Sequence, residues 1–254
     1  MIRESFMQAV RDAGSLAKQH ALRANIHVKG KSDFVTDADL AISQALGGAF
    51  ARIAPGSRML SEEAEPVDGI HGKLFIVDPV DGTTNLMYGM NLSAISAAYL
   101  EDGVLRLGAI YNPFTEEFFF AEAGKGATLN GEPIHVNEDA TLADALLGAE
   151  AGPATLGTQQ LFFQQLFALQ SQSRGIRWTG SAAVDLAYVA GGRLSACVFH
   201  YLYPWDYAAG WLILKEAGGM LTSAQATEPD LRRRSGLLIA SNTRLHPALM
   251  ELFV

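Results

Sequence analysis

Apolar residues near the N-terminus recur at helical spacing. One face of the helix predicted over residues 5–23 carries four of them, Phe6, Val10, Ala13 and Ala17. A second helix is predicted after Thr36, because its hydroxyl can cap a helix that begins with acidic residues. We therefore expect the chain to begin with two helices.

A short apolar run, Leu74-Phe75-Ile76-Val77, stops abruptly at Asp78-Pro79-Val80-Asp81-Gly82. An unbroken apolar run of this length is typical of a buried strand, and the polar residues then follow its C-terminal end. The ends of buried strands are usual places for functional sites.

The remainder of the chain divides into two patterns. Residues 92–134 alternate strand-like runs with turn signals such as Asp102-Gly103 and Asn130-Gly131, which predicts an antiparallel meander without helices. Beyond about Ala140, helix-length segments alternate with short strands, which is typical of an α/β arrangement. We predict two subdomains, residues 1–140 (α+β) and 141–254 (α/β), that share an extensive interface.

Composition narrows the functional class. Of 254 residues, 49% are hydrophobic and 18% are charged, which favours a compact globular protein. The formal charge of −8 argues against nucleic acid as a partner, and the basic run Arg232-Arg233-Arg234 is interpreted as a solvated loop rather than an anion-binding patch. An acidic protein that handles anionic substrates needs a positive group at its site, and metal ions would supply it.

Cysteine content and the N-terminus bear on the compartment. The single cysteine, Cys197, lies in an apolar run and is expected to be a buried small hydrophobe. The first residues carry charges and helical periodicity, so neither a signal peptide nor a membrane span is expected. These features favour a cytoplasmic protein.

The turn after the apolar strand has the chemistry of a cation site. Asp78 and Asp81 lie three residues apart, and Gly82 lets the backbone come close to a ligand. Mg²⁺ prefers oxygen ligands and leaves positions for water and phosphate. The amides of Gly82 and Thr83, at a predicted helix start, can donate to a phosphate oxygen. For this string alone, a capped surface turn is an equally good interpretation.

Two further carboxylates strengthen the metal hypothesis. Glu62 precedes the apolar strand, and Asp206 lies at a predicted helix N-terminus, where a lone aspartate is more often only a cap. Zinc is disfavoured because the candidate ligands are all hard oxygens without paired histidines or cysteines. No serine–histidine or cysteine–histidine pair competes as a nucleophile.

Two motifs carry a family resemblance. Asp-Pro-Val-Asp-Gly-Thr-Thr-Asn at residues 78–85 and Trp-Asp-Tyr-Ala-Ala-Gly at residues 205–210 resemble the signature motifs of the inositol monophosphatase family. The resemblance runs nearly end to end and includes Lys29-Gly30, Asp33 to Asp39, Ser61-Glu62-Glu63, Tyr111-Asn112-Pro113, Gly124 to Ala127, Asn130 to Ile134, Gly180 to Ala183 and Glu216 to Gly219.

The resemblance implies a fold and a set of metal ligands. The expected fold is a layered α/β/α/β/α sandwich, with a homodimer as its assembly. One Mg²⁺ would be bound by Glu62, Asp78 and the Val80 carbonyl, a second by Asp78, Asp81 and Asp206, and a third, weaker one near Glu62. Most of these ligands fall in the first subdomain, whereas Asp206 and the substrate pocket belong to the second.

It also implies how the reaction proceeds. Asp39 and Thr83, with Glu62, would orient or deprotonate a water that attacks phosphorus directly, without a phospho-enzyme. A second metal would stabilise the departing alkoxide, and lithium would inhibit. The substrate and its phosphate would contact a further set of residues, Lys29, Gly82, Thr83, Gly180, Ser181 and Ala182.

One position departs from the family pattern. Inositol-specific members usually carry a glutamate seven residues before the aspartate of the second motif, where this chain has Phe199. Phenylalanine cannot accept hydrogen bonds from sugar hydroxyls, which puts inositol phosphate in doubt as the substrate. His200 is a candidate replacement contact, although a histidine between apolar neighbours is more often structural.

Several functions therefore stay open. The substrate is expected to be a small phosphorylated metabolite, a sugar, polyol or related phosphate, with fructose 1,6-bisphosphate, histidinol phosphate and a 3′-phosphorylated adenosine nucleotide as alternatives. A different class of hypothesis is a regulatory protein in a transcription or RNA complex. The retained carboxylates disfavour a role that is only regulatory.

Overall fold

The computed structural model describes residues 2–21, 26–28, 34–63, 68–139, 141–152 and 156–253. Its helices are α1 (Ile2–Ala21), α2 (Asp37–Ile53), α3 (Thr83–Met87), α4 (Leu156–Gln172), α5 (Ala182–Ala190), α6 (Pro204–Glu216) and α7 (His246–Phe253), with a 3-10 turn at Leu142–Asp144. Its strands are β1 (Ile26–Val28), β2 (Phe34–Thr36), β3 (Arg58–Ser61), β4 (Lys73–Asp81), β5 (Ala94–Glu101), β6 (Val104–Asn112), β7 (Glu117–Glu122), β8 (Ala127–Leu129), β9 (Glu132–Ile134), β10 (Leu147–Ala151), β11 (Ile176–Arg177), β12 (Ala196–His200), β13 (Gly219–Ser223) and β14 (Leu237–Asn242).

These elements pack in five layers. Helices α1 and α2 cover one face of a seven-stranded sheet, β3 to β9 in chain order, and α5 and α6 cover its other face. The same two helices pack on a five-stranded sheet of order β11-β10-β12-β14-β13, whose outer face is covered by α4 and α7. The expected α/β/α/β/α sandwich is confirmed.

The two N-terminal helices form where the sequence predicts them. The Thr36 hydroxyl accepts the Ala38 amide at 3.2 Å, and the Asp39 carboxylate accepts the Thr36 amide at 2.8 Å. This reciprocal capping box satisfies two amides that would otherwise lack partners at the start of α2. Phe50 of α2 stacks on Phe75 of β4, in the sheet that α2 covers, at a centroid distance of 4.0 Å. Both predicted helices are confirmed.

Strand β4 is the central element for the site. Its burial is continuous from Leu74 to Val80, because β3 pairs with it in parallel on one side and β5 antiparallel on the other. The pairing with β5 is irregular between Asp78 and Asp81, so the end of the strand bulges. The strand therefore extends further than the apolar run predicts and includes both aspartates.

The second half contains a mixed sheet. Strand β10 pairs in parallel with β11 and β12, whereas β14 pairs antiparallel with β12 and β13. The two large sheets lie on opposite sides of the predicted boundary at residue 140, and the core around α5 and α6 contacts both. The division into two subdomains stays a prediction.

Cys197 is buried, as expected for a small hydrophobe, and burial raises the pKa of its thiol well above the usual value. Within the described ranges, none of the helices combines the length and the apolar character that a bilayer crossing requires.

Candidate active site

A cleft of about 300 Å³ lies where the end of β4 meets the N-termini of α3, α5 and α6. Five acidic residues line it, Glu62, Asp78, Asp81, Glu150 and Asp206. The other lining residues are uncharged: Val80, Gly82, Thr83, Thr84, Gly152, Gly180, Ala182, Tyr201, Leu202, Tyr203 and Trp205.

Asp78 lies at the centre of the acidic group. Its side chain is only 2% exposed, and Oδ1 accepts the Val80 amide at 3.0 Å. Burial raises the pKa of Asp78 well above its usual value, and the charges of Glu62, Asp81 and Asp206 raise it further. A carboxylate in this position is stable only if a cation compensates it or a proton neutralises it.

Glu62 reaches the cleft because of strand register. Ser61 of β3 pairs with Val77 of β4 in a parallel ladder, so the next residues of both strands, Glu62 and Asp78, emerge side by side. Glu62 is half-buried and its charge raises the pKa of both Asp78 and Asp206.

Asp81 joins the two halves of the chain. Its Oδ2 accepts the Ser181 hydroxyl at 2.7 Å and also the Ala183 amide, at the N-terminus of α5. Burial raises the pKa of Asp81 to about 6, although these hydrogen bonds act in the opposite direction. Asp81 also lines the cleft.

Asp206 is both a cap and a cleft residue. Its Oδ2 accepts the Tyr203 amide at 2.7 Å, which satisfies the start of α6. Burial raises the pKa of Asp206 well above its usual value, and Asp81 contributes next. The capping role therefore does not exclude a role at the site, since the carboxylate also lines the cleft.

The donor set is suited to a hard divalent cation. Four carboxylates repel one another, and only oxygen atoms are offered. In the part of the chain that the structure describes, no three acidic, histidine or cysteine side chains are already gathered tightly enough to enclose an ion. Mg²⁺ is typically held by one or two carboxylates and completes its shell with water and phosphate oxygens, so the arrangement fits it.

Asp39 and Thr83 meet beside these carboxylates. The Thr83 hydroxyl lies 3.2 Å from Asp39 Oδ1 and 3.0 Å from the Val80 carbonyl oxygen. Asp39 Oδ2 accepts the Thr36 amide and hydroxyl, which fixes the carboxylate against α2. Burial raises the pKa of Asp39, so it is a better proton acceptor than an ordinary aspartate.

Gly82 turns the chain from β4 into α3. Its φ of +88° favours glycine, and a Cβ there would lie 2.9 Å from the Leu92 carbonyl oxygen. Asn85 holds this turn against the second half by donating to the Leu92 and Thr179 carbonyls, both at 2.8 Å. The Gly82 and Thr83 amides thus begin a helix at the floor of the cleft, as expected.

The structure does not bring every predicted contact to the cleft. Gly180 and Ala182 line it, whereas Ser181 caps α5 and holds Asp81 from behind. His200 does not line the cleft. Its ring stacks on Phe162 of α4 at a centroid distance of 4.9 Å, on the face of β12 that points away from the cleft. Lys29 lies outside the described residues.

Sequence reasoning missed several cleft residues. Glu150 at the end of β10 is half-buried, and burial followed by the charge of Asp81 raises its pKa to about 7. The sequence contains a pattern that could have identified Glu150, because it follows a short apolar run, as Asp78 does. Tyr201 and Tyr203, in the loop before α6, carried no comparable pattern.

The three arginines of the basic run, residues 232–234, differ in what they contact. Arg232 and Arg233 are exposed and pair with Asp230, as a solvated loop would. Arg234 differs, since its guanidinium lies over Tyr201 at 4.7 Å and over Tyr203 at 5.0 Å. One arginine of the run therefore packs against the aromatic wall of the cleft.

Comparison with known proteins gives consistent matches over the whole chain. The sequence model of the inositol monophosphatase family matches residues 2–254. An inositol-1-monophosphatase of Rhizobium meliloti is 36% identical over 96% of this chain and 93% of its own length. A fructose-1,6-bisphosphatase/inositol-1-monophosphatase of Thermotoga maritima and the Nus factor SuhB of Pseudomonas aeruginosa are each 33% identical, over 96% of this chain and 93% and 92% of their own lengths. The crystal structure of the extragenic suppressor protein suhB of Bartonella henselae superposes with a TM-score of 0.92 at 31% identity, covering 99% of this chain and 98% of that one.

Proposed function

The chain belongs to the inositol monophosphatase family of metal-dependent phosphoric monoester hydrolases, and from this premise we propose that it is a Mg²⁺-dependent phosphatase of a small sugar or polyol phosphate. The observation that carries the proposal is the acidic group in the cleft. Burial raises the pKa of Asp78 and of Asp206, and the charges of Asp81 and Glu62 raise both further, a cost that cations or protons can relieve.

We assign two or three Mg²⁺ ions to these ligands. Glu62, Asp78 and the Val80 carbonyl would hold one, Asp78, Asp81 and Asp206 a second, and the surroundings of Glu62 a third. When bound, the ions supply positive charge to the phosphate and favour deprotonation of the attacking water. Phosphoryl transfer depends chiefly on such charge neutralisation and on alignment of the reacting atoms.

The chain's own groups position the water and the phosphate. Thr83 donates its hydroxyl proton toward Asp39, which leaves its oxygen lone pairs to accept a proton from water. Asp39, with its raised pKa, is the final acceptor for that proton. The Gly82 and Thr83 amides can donate to the phosphoryl oxygens, while Glu62 helps to orient the water.

The test is phosphate release from a substrate panel, with Mg²⁺ and with a chelator. The panel contains inositol 1-phosphate, glycerol 2-phosphate, fructose 1,6-bisphosphate, histidinol phosphate and a 3′-phosphorylated adenosine nucleotide. We expect Mg²⁺-dependent release that is highest on a sugar or polyol phosphate, and inhibition by lithium. Absence of Mg²⁺-dependent release from every compound would refute the proposal.

A second candidate function comes from one relative's name. The Pseudomonas aeruginosa protein is a Nus factor, which makes a regulatory binding role the alternative for this chain. Complementation of a deletion strain with Asp81→Asn separates the two roles. A phosphatase role predicts that this variant fails to complement, whereas a binding role predicts that it complements like the wild type.

We also propose a homodimer in the cytoplasm. Helix α4 and Trp178, which follows β11, expose large apolar side chains, Leu161 (57% exposed), Phe163 (49%), Phe167 (78%) and Trp178 (47%), and Phe163 stacks on Trp178 at 5.7 Å. An exposed aromatic patch of this kind is typical of an interface. Sedimentation velocity should give a dimer for the wild type and a larger monomer fraction for Phe167→Ser. A monomeric wild type would overturn this assembly.

A further inference from the structure

Glu150 is the one acidic residue lining the cleft that has no part in the proposed metal set. It stands at the end of β10, opposite the turn that carries Asp78 and Asp81. Its Oε1 accepts the Ala151 amide at 3.3 Å. The other oxygen, Oε2, is buried and has no hydrogen-bond partner among the described residues. A buried carboxylate oxygen without a donor costs free energy, which a ligand can recover by donating to it.

Strand pairing explains why this carboxylate faces the cleft. Glu150 of β10 and Phe199 of β12 are Cα partners in a parallel ladder, so their side chains project to the same face of the sheet. Phe199 is fully buried in the core between the sheets and offers no polar atom. On this face of the two strand ends, the polar group for a ligand comes from β10.

The surroundings of Glu150 lack a compensating cation. Its strongest electrostatic neighbour is Asp81, which repels it, and it forms no ion pair with a described lysine or arginine. Behind it on α5, Asp185 is fully buried, and burial raises the pKa of that carboxyl well above its usual value. Hydrogen bonding from the Ala151 and Gly180 amides and from the Trp178 side chain lowers the pKa of Glu150 in part, but Oε2 keeps no partner among the described residues and no described cation compensates the carboxylate.

The position of Glu150 indicates which part of a substrate it would meet. Asp78 and Asp81 lie on β4, and the Gly82 and Thr83 amides follow at the start of α3. Glu150 and Gly152 come from the end of β10, and Tyr201 from the loop before α6. A phosphate bound at the first group of residues would direct its esterified alcohol toward the second group.

We propose that Glu150 is a specificity-determining residue, whose carboxylate accepts hydrogen bonds from hydroxyl groups of the departing alcohol. The inference rests on the proposed phosphatase function and extends it to the class of leaving group. It predicts that the enzyme selects polyhydroxylated alcohols over alcohols without hydroxyls. A site built to accept from a hydroxyl discriminates strongly against analogues that lack it, because its buried acceptor is then left unsatisfied.

The experiment compares wild type, Glu150→Leu and the conservative Glu150→Gln on three phosphate esters with Mg²⁺ at saturation. Inositol 1-phosphate carries hydroxyls, p-nitrophenyl phosphate carries none, and ethanolamine phosphate carries an ammonium group instead. For Glu150→Leu we expect kcat/KM on inositol 1-phosphate to fall about 10- to 100-fold, while p-nitrophenyl phosphate changes less than about 2-fold. Glu150→Gln keeps one acceptor oxygen and should retain activity within about 5-fold.

Two further measurements exclude indirect effects. The inhibition constant of inorganic phosphate should stay unchanged, because the proposal places Glu150 on the alcohol and not on the phosphoryl group. Thermal unfolding checks that each variant folds. An equal loss on all three esters, a raised inhibition constant of phosphate in Glu150→Gln, or no loss on any ester would overturn the proposal.

A loss confined to ethanolamine phosphate would also overturn it, in favour of a cationic leaving group. Wild-type activity on p-nitrophenyl phosphate keeps the phosphatase assignment independent of Glu150. If the wild type releases phosphate from none of the three esters with Mg²⁺, the proposed function itself is wrong, and the role of Glu150 is rejected with it.

Discussion

The two sides of the cleft are built in different ways. The proposed metal side centres on a single turn, residues 78–83, in which consecutive residues offer carboxylates, a carbonyl and amides, and Glu62 and Asp206 join it from elsewhere in the chain. The proposed leaving-group side, as we name Glu150, Gly152, Tyr201 and Tyr203, collects residues from two separate segments. The first side is visible in a short string of sequence, whereas the second exists only after the sheets have packed.

This difference separates reaction chemistry from substrate choice. The geometry of the proposed metal side depends on local hydrogen bonds, such as the one that the Val80 amide donates to Asp78 Oδ1, and on the bulge in β4. The leaving-group side depends on how β10 and β12 are aligned, so a single replacement there can change the alcohol that is accepted. Relatives with the same metal side can thus differ in substrate.

The largest effect is expected from Asp81→Asn on the metal side. The Ser181 hydroxyl and the Ala183 amide both donate to Oδ2, so an asparagine whose carbonyl oxygen takes that place keeps both hydrogen bonds. The charge toward the cleft is lost, and Mg²⁺-dependent kcat/KM should fall about 1,000-fold. Asp144→Asn, which changes an exposed aspartate paired with Arg174, is the matched control.

Steady-state kinetics measure this loss, and circular dichroism verifies that the variant folds. A folded Asp81→Asn enzyme with activity close to wild type would show that the metal side is not the reaction centre.

Thr83→Ala should produce the next largest effect. The substitution removes the hydroxyl between Asp39 and the attacking water, so kcat should fall about 10- to 100-fold. Thr83→Ser keeps the hydroxyl and should restore most of the rate. The free energy of unfolding of Thr83→Ala should fall by only about 1 kcal/mol, since the lost hydrogen bond is partly exposed to solvent. Equal rates for the alanine and serine variants would exclude a role for the hydroxyl.

The burial of the Asp81 carboxylate should also appear as a pH-dependent stability. The pKa of Asp81 is raised by burial to about 6, so its contribution to stability is present below pH about 4 and is lost as the pH rises through 6. Without metal, wild type and Asp81→Asn should therefore be equally stable near pH 4. By pH 8 the variant should be more stable, by at most about 3 kcal/mol.

Thermal and urea unfolding in a chelator, at pH 4 and pH 8, measure this difference. Adding Mg²⁺ at pH 8 should raise the stability of the wild type more than that of the variant, because the ion compensates the charge. If the wild type is instead more stable than Asp81→Asn at pH 8 without metal, the pKa of Asp81 is not raised in the folded protein.

The smallest effect is expected beside the leaving-group side, from His200→Phe. The His200 ring stacks on Phe162, and its Nδ1 is buried without a hydrogen-bond partner among the described residues. Phenylalanine can occupy the same space, so kcat/KM on a polyol phosphate should change less than about 2-fold. A loss of more than about 10-fold would instead support the contact between His200 and the alcohol that the sequence suggested.

Local sequence was enough to identify much of the site. The capping box at Thr36 and Asp39, the apolar run before Asp78 and the glycine at residue 82 each predict their own conformation from neighbouring residues. The placement of Glu62 and Asp206 in the same cleft could not be obtained this way, because it depends on parallel pairing of β3 with β4 and on the position of α6.

The sequence by itself thus identified the family and its layered fold, and it supplied the hard oxygens at short spacing on which the metal proposal rests. The tertiary structure alone decided that Glu150 enters the cleft while His200 turns away from it. The physical reason is the alternation of side chains along paired strands: β10 and β12 present Glu150 and Phe199 on one face and His200 on the other, and only their register settles which residues meet the substrate.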